Sequence, residues 1–586
     1  ELSNNLSRKL EELGVPLHVS NSDSNGMIKS RGISIFSHDR LLHVLLEHNY
    51  VDVVCPLHGG HRSERKVITS DSFNFFTPLP IEKIRAYYGD GIALYFAWMD
   101  SFIYWLLIPG FVGLGIFFLR KYENAAHGWN RTVDDCIYTP FFGLVMFIWA
   151  ILFLRFWNRR ENLLAYEWGC FEGGGYGYSS FSAARPEFEG VMKRNEITGL
   201  MIKYYSPKLR MLKYIGSAIV TAFLLACAFS VMILSLNLQG YVNPAHDESR
   251  WEGKAHPFYF PRLADLAEEG QIFDMQDTIR SLIPVILHVS SVIVMNTCYR
   301  SVAEKLTDWE NHQTYASHEN SLILKRFLFE AFDAYLILFY LAFFECDIAK
   351  LRSELVSMFN IDVFRRVALT YVVPKILQLL QANKEKADVG AAKKNDITSA
   401  DIPDDLRMSN EANWDGYEQF DDYLEMVIEL GYVTLFASAY PLAAIIAIMA
   451  NQVEVRIVAL KLSSVTRRPM PRRQGNIGTW NTVMTAIIWM SALTNCLIFG
   501  FSSRQMMQWF PSLYTIAEDG DQEYVAGKGD EAVFIIFAAE RLLLLIGILI
   551  VMIIPIVPND VLIKVEHRNY VNAEEARMSR IKSGVK

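Results

Sequence analysis

Apolar runs long enough to cross a lipid bilayer recur from one end of this chain to the other, and no other feature constrains its fold as much. A hydrocarbon core about 30 Å thick takes roughly 20 consecutive apolar residues in a helix. Such runs lie near Ala93–Leu119, Cys136–Trp157, Tyr214–Leu236, Ile279–Tyr299, Ile323–Phe344, Leu355–Leu377, Asp422–Ala439, Leu442–Leu462, Trp480–Phe501 and Ala532–Ile554. The sixth carries Arg365 and Arg366 in its middle, and the seventh opens on acids. Of the 586 residues, 51% are hydrophobic and only 20% charged. A soluble chain of this length would divide into several domains with more surface charge. The pattern predicts an all-α polytopic membrane protein of about ten transmembrane helices, with a small N-terminal cytoplasmic α+β domain.

Loop charge orients the spans, because cytoplasmic loops collect Lys and Arg. The second-to-third connection holds Arg159, Arg160, Lys193, Arg194, Lys203, Lys208 and Arg210. The sixth-to-seventh holds Lys384, Lys386, Lys393 and Lys394, and the eighth-to-ninth holds Arg467, Arg468, Arg472 and Arg473. The tail after the tenth is basic as well, with Lys564, Arg568, Arg577, Arg580 and Lys582. The alternate loops are poorer in both residues, which places both termini in the cytoplasm. Asn130-Arg131-Thr132 is a glycosylation sequon in the first outside loop, which fits.

Three parts follow. Residues 1–85 are expected to form the cytoplasmic α+β domain, with short strands at Leu17–Val19 and Val51–Val54 and a helix at Arg40–Glu47. Residues 86–560 form the ten-helix membrane domain, interrupted by a polar cytoplasmic linker at 382–413. Residues 561–586 form a cytoplasmic C-terminal helix. The chain opens on Glu1 without a signal-peptide pattern, which suits a trimmed chain. The net charge of −8 gives no sign of nucleic-acid binding. The seven cysteines form no CxxC pair, so neither a zinc signature nor a disulfide framework is present. No GxSxG, HExxH or phosphate-cradling loop occurs, and Gly173–Gly177 lacks the strand–turn–helix context of a nucleotide site. These absences argue against an enzyme.

Ionisable groups inside a membrane are costly and face a cavity or a partner. Asp422 and Glu425 share one face at the start of the seventh span, Glu429 continues that stripe, and Glu454 lies in the eighth. Carboxylates converging at one depth suit a hard cation such as calcium. The competing reading is an internal ion-pair network. Arg365 and Arg366 suit an anion or headgroup contact, or a fixed cation answering the acids, against simple snorkelling. Ser290, Ser291, Asn296 and Thr297 give the fourth span a polar face, either a headgroup track or helix–helix glue.

A series of short motifs runs in order from Ile84 to Pro558. It includes Ile84-Arg85-Ala86-Tyr87-Tyr88-Gly89, Arg185-Pro186-Glu187-Phe188-Glu189-Gly190 and Leu306-Thr307-Asp308-Trp309-Glu310-Asn311-His312. Phe420-Asp421-Asp422-Tyr423-Leu424-Glu425, Asn476-Ile477-Gly478-Thr479-Trp480 and Thr494-Asn495-Cys496 continue it. The series resembles the anoctamin family of calcium-activated phospholipid scramblases and chloride channels, closest to its intracellular, scramblase-like members. The resemblance implies a homodimer with a membrane-facing furrow in each subunit, bounded by the fourth to sixth helices. Phospholipid headgroups cross along it, or anions in the channel members, and calcium between the sixth, seventh and eighth helices opens it.

The calcium ligands carry over in part. Asp422, Glu425 and Glu454 match family acids. Val458 stands where a second eighth-helix acid is usual, Thr370 replaces an acid and Arg366 an Asn on the sixth helix. A second calcium site of the family would fall at Arg155 and Ile556, neither of them an acid. A tight calcium site needs about six to eight oxygens, so the resemblance implies weak or no calcium dependence, with Arg366 standing in for the ion. The leading expectation is a scramblase with ion leak, in the endoplasmic reticulum or another internal membrane rather than the plasma membrane. An anion (chloride) channel and a non-transporting tether are the alternatives.

Overall fold

The computed structural model describes chiefly residues 78–128, 136–171, 187–194, 201–238, 258–267, 282–365, 414–516, 522–525 and 527–582, with short pieces at 28–30 and 33–35. The chain divides into two compact units. The first comprises Glu1–Arg65, Leu377–Tyr417 and Leu462–Met470. In it, strands β1 (Ile28–Ser30) and β2 (Ile33–Ile35) pair antiparallel, Ile28 opposite Ile35. The ring of buried His58 lies 3.2 Å from the Thr466 carbonyl, and Asp415 bridges to Thr466 in parallel. The expected strands at Leu17–Val19 and Val51–Val54, the helix at Arg40–Glu47 and the sequon Asn130 lie outside the described residues.

The second unit holds the helices. A short helix α1 (Ile81–Tyr88) leads into α2 (Asp90–His127), then α3 (Thr139–Glu167). The hairpin β3 (Val191–Arg194) and β4 (Met201–Tyr204) precedes α4 (Pro207–Leu238). Next come α5 (Leu282–Trp309), α6 (Tyr315–Phe339) with a wide π turn at Tyr340–Phe344, and α7 (Ile348–Arg365). After them stand α8 (Gln419–Leu435), α9 (Ala443–Ser464) and α10 (Thr479–Leu497), the last ending in a second π turn at Ile498–Ser502. A small hairpin, β5 (Tyr514–Ile516) and β6 (Gln522–Tyr524), precedes α11 (Gly529–Ile553) and α12 (Asn559–Lys582).

Seven described helices are long and apolar enough to cross a membrane: α2, α3, α4, α6, α9, α10 and α11. The other three expected spans map to α5, α7 and α8. The 17 residues of α8 extend only about 26 Å at 1.5 Å per residue, while α5 has 28 residues and its stretch from Leu282 to Tyr299 holds no Asp, Glu, Lys or Arg. The helix count is therefore close to the ten expected, with seven meeting the length and composition of a span among the described residues. Boundaries shift by a few residues: the first span begins at Asp90 rather than Ala93, and the third at Pro207 rather than Tyr214.

Aromatic packing holds α2, α8 and α10 together. Tyr95 meets Tyr423 edge-on at 5.1 Å, and Tyr423 stacks on Trp480 at 5.7 Å. Trp98 stacks on Phe102 at 5.2 Å, and all these α2 rings are buried. Offset and edge-on rings add roughly 1 kcal/mol per pair beyond burial. The break between α1 and α2 falls at Gly89, whose φ is +94° and whose missing Cβ would lie 2.8 Å from the Pro471 backbone. Only glycine takes that conformation in that space.

Candidate functional site

The N-terminal end of α8 carries Glu418, Asp421, Asp422 and Glu425. Acids suit the positive end of a helix dipole, but a buried carboxylate also needs a cation or hydrogen bonds. Three helices supply cations here. Lys461 of α9 reaches Asp422, Nζ to Oδ1 at 2.9 Å. Arg326 of α6 donates to Asp421 Oδ1 at 2.8 Å, approaches Glu418 at 4.0 Å and lies 3.7 Å over the Phe420 ring. Arg300 of α5 donates to Glu418 and pairs with Glu304. The acidic end of α8 is thus tied to α5, α6 and α9 at once.

Deeper in the same interface, Asn451 of α9 donates to Glu429 of α8 at 2.8 Å. The pairs Asp422–Lys461 and Glu429–Asn451 fix the antiparallel register of α8 on α9. Glu454 and Val458 are buried along this seam, whereas Glu425 is half-buried. Val458 offers no oxygen at that level. Among the described residues, no three of His, Cys, Asp and Glu stand close enough together to hold a metal ion. With Asp422 already paired to Lys461 and Val458 apolar, the described donors do not fit the six to eight oxygens a calcium ion takes. Arg366 and Thr370 lie outside the described residues, as does the Arg365 side chain. The cation seen on Asp422 is Lys461, which sequence reasoning passed over because the partners are 39 positions apart.

The resemblance would put a second family site at Arg155 on α3 and Ile556 just past α11. Arg155 Nη2 donates to the Val551 carbonyl at 2.6 Å, and Asn162 Nδ2 to the Ile556 carbonyl at 3.4 Å. A guanidinium and an amide here cap the free carbonyls at the end of α11. Ile556 itself is exposed and apolar.

The polar face of α5 is present. Ser290 and Thr297 are exposed, while Ser291 and Asn296 are partly buried. The Ser291 and Thr297 hydroxyls donate to the carbonyls four residues back, each at 2.8 Å. Their lone pairs stay free to accept. Ser301, Glu304 and Asp308 extend the exposed row in steps of three or four residues, so it follows one side of the helix.

The sequence motifs turn out to be docking elements. Asn311, at φ 58°, exchanges two hydrogen bonds with the backbone of Glu189, at 2.8 and 3.0 Å. Arg185 reaches Asp308 at 3.2 Å, which joins the second and third motifs. Buried Glu310 accepts from Lys325 at 2.8 Å, His312 Nε2 at 2.8 Å and Ser321 at 2.7 Å. Burial alone would raise its pKa. Hydrogen bonds from His312, Lys325 and Ser321 outweigh that and hold it at about 2. In the sixth motif, Asn495 donates to the Thr434 carbonyl at 2.7 Å and Thr494 to the Leu435 carbonyl at 2.9 Å. Two side chains of α10 therefore finish the last turn of α8.

Comparison with known proteins agrees with this arrangement. The family model described as "Anoctamin: Calcium-activated chloride channel" matches residues 84–568. Mouse anoctamin-10 is 27% identical over 543 residues, 92% of this chain and 74% of that protein. Human anoctamin-10 is 28% identical over the same shares. Rat anoctamin-7 is 26% identical, covering 72% of this chain and 53% of its own length. The match takes in every helix from α2 to α11, and with it the ordered motifs, the acids of α8 and the polar face of α5: the chain is a multi-span membrane protein belonging to the anoctamin family.

Proposed function

We propose that this chain is a phospholipid scramblase whose lipids cross along the outer side of α5 to α7, with ion leak as a by-product. The observation that carries the reading is the exposed polar row of α5: Ser290 and Thr297 within the span and Ser301 just beyond it. Polar side chains turned outward from a membrane helix offer headgroups hydrogen-bond partners while acyl tails stay in the lipid. An enclosed anion pore would need cations free of carboxylates. Arg300, Lys325 and Arg326 are each engaged by an acid, while Lys305 of α5 stands exposed among Ser301, Glu304 and Asp308.

Calcium dependence is weak or absent in this reading, because Asp422 is neutralised by Lys461 and Val458 supplies no ligand. Arg366 is a further cation of the sixth helix that would hold it in one state. The protein works as a homodimer in an internal membrane, with both termini cytoplasmic, as the basic loops and the anoctamin-10 and anoctamin-7 relatives favour.

The test is scrambling in reconstituted vesicles. Fluorescent phospholipid sits in both leaflets, and a membrane-impermeant reductant bleaches the outer one. Bleaching well past half, with calcium or with chelator, is expected. Bleaching past half only with calcium would overturn the calcium part of the reading. A halt at about half in both would discard the scramblase and leave the anion channel or the tether, which anion-flux assays on the same vesicles separate.

A further inference from the structure

The hairpin β3–β4 lies outside the furrow and the acid cluster. A two-stranded hairpin alone is marginal in water and needs a surface to pack on. Its register sets Val191 opposite Tyr204, Met192 opposite Lys203 and Arg194 opposite Met201. Both faces carry exposed side chains among the described residues: Val191 is 77% exposed on one, and Met192 and Met201 are 55% and 58% exposed on the other. Each face mixes apolar side chains with cations. Lys193 lies 5.3 Å over the Tyr204 ring on the first face, while Arg194 and Lys203 lie on the second.

The composition continues into α4. Leu209, Met211 and Leu212 are exposed beside Lys208, Arg210 and Lys213. From Val191 to Tyr214 the chain holds six cations and one acid, Glu196. Lys213 also lies 5.2 Å over Tyr205 and 5.6 Å over the half-exposed Trp309. Aromatic rings with cations beside them mark the headgroup level of membrane proteins. Exposed apolar groups interleaved with one sign of charge fit an anionic lipid surface, which takes up both.

Length decides which membrane. Only Tyr205 and Ser206 separate β4 from α4. The 32 residues of α4 span about 48 Å, roughly 18 Å more than the hydrocarbon core, so its first turns stand among the headgroups. Strands of four residues reach only about 14 Å further. We propose that the β3–β4 hairpin, with the first turns of α4, is an interfacial anchor that inserts its Val and Met side chains into an anionic leaflet of the bilayer that α4 crosses.

Hydrogen–deuterium exchange of the whole protein tests this in phosphatidylcholine bilayers with and without phosphatidylserine. Each cation at an anionic surface multiplies occupancy about fivefold at low salt. Amides of residues 189–206 should therefore exchange about tenfold or more slowly with phosphatidylserine, and lose most of that protection at high salt. The triple variant Lys193→Gln, Arg194→Gln, Lys203→Gln should lose the lipid dependence. Met192→Asp with Met201→Asp should lose protection in both lipids. Unchanged exchange in α10 and α11 shows that each variant is folded. Equal hairpin exchange in both lipids for the parent protein would overturn the proposal. So would protection that arises only when a second population of vesicles is added, because the contact would then be with a facing membrane.

Discussion

Two carboxylate sites in this protein face a similar problem and solve it differently. At the corner between α5 and α6, Glu310 has a lysine, a histidine and a serine within 2.8 Å. Its partners have partners in turn: Lys325 also donates to Ser321 and Thr307, and His312 Nδ1 lies 2.7 Å from the Ser317 hydroxyl. At the end of α8 cations arrive from three other helices: Lys461 of α9 on Asp422, Arg326 of α6 on Asp421 and Glu418, and Arg300 of α5 on Glu418. The first site is closed and joins neighbours along the chain. The second is a junction of ion pairs shared among four helices. A closed network fixes a corner; a junction of ion pairs can hold either of two arrangements.

The comparison breaks most visibly by removing one lysine from each site. Lys325→Met should be the more damaging, by about 3–5 kcal/mol, because it strands a buried carboxylate among donors that lose their anchor. Thermal unfolding in detergent and the yield of folded protein both report it. Lys461→Met should cost less, about 2–3 kcal/mol, since Asp422 retains the favourable end of the α8 dipole. The two variants should also differ in kind. Added calcium should raise the melting temperature of Lys461→Met combined with Val458→Asp, where an acid has been gained and a competing cation removed. It should leave Lys325→Met unmoved. Equal calcium responses in the two would show that the α8 acids are as structural as Glu310.

Acid separates the sites next. Glu310 is held at about 2 in the folded protein, against about 4.3 for an unfolded glutamate. Between those values the unfolded chain binds more protons, so the stability Glu310 contributes is complete above about pH 5 and is lost as pH falls toward 2. The melting temperature of the parent protein should drop over that range. Glu310→Gln should start lower and show a shallower drop. If the two acid limbs run parallel, other carboxylates govern the acid limb.

Asn495→Ala should have a smaller effect, about 1–2 kcal/mol, by leaving the Thr434 carbonyl of α8 without its donor. This contact also marks where sequence reasoning stops. Apolar runs made the helices legible, because a bilayer dictates span length directly. The serines and threonine of α5 were legible because helical spacing alone puts them on one face. Lys461 on Asp422, Lys325 on Glu310 and Asn495 on Thr434 were not. Each joins positions from 15 to 61 residues apart through packing, for which no local period exists. The motifs around Glu310 and Asn495 could be recognised as a resemblance, but their roles, a closed charge cluster and a borrowed helix cap, needed the fold.

Arg300→Ala should have the smallest effect on stability, about 0.5 kcal/mol, because both Arg300 and its partner Glu418 are more than a third exposed. It is nonetheless informative, since Arg300 is the only described side chain joining α5, the helix with the polar row, to an acid of α8 by an ion pair. If the junction holds the furrow in one arrangement, Arg300→Ala should change the scrambling rate by several-fold while the melting temperature stays within about 2 °C of the parent. Lys325→Met, compared at equal folded amounts, should change stability more than rate. An Arg300→Ala protein that scrambles at the parent rate would make the α8 junction a structural network like the Glu310 corner, and the two regions would then differ only in how many contacts each contains.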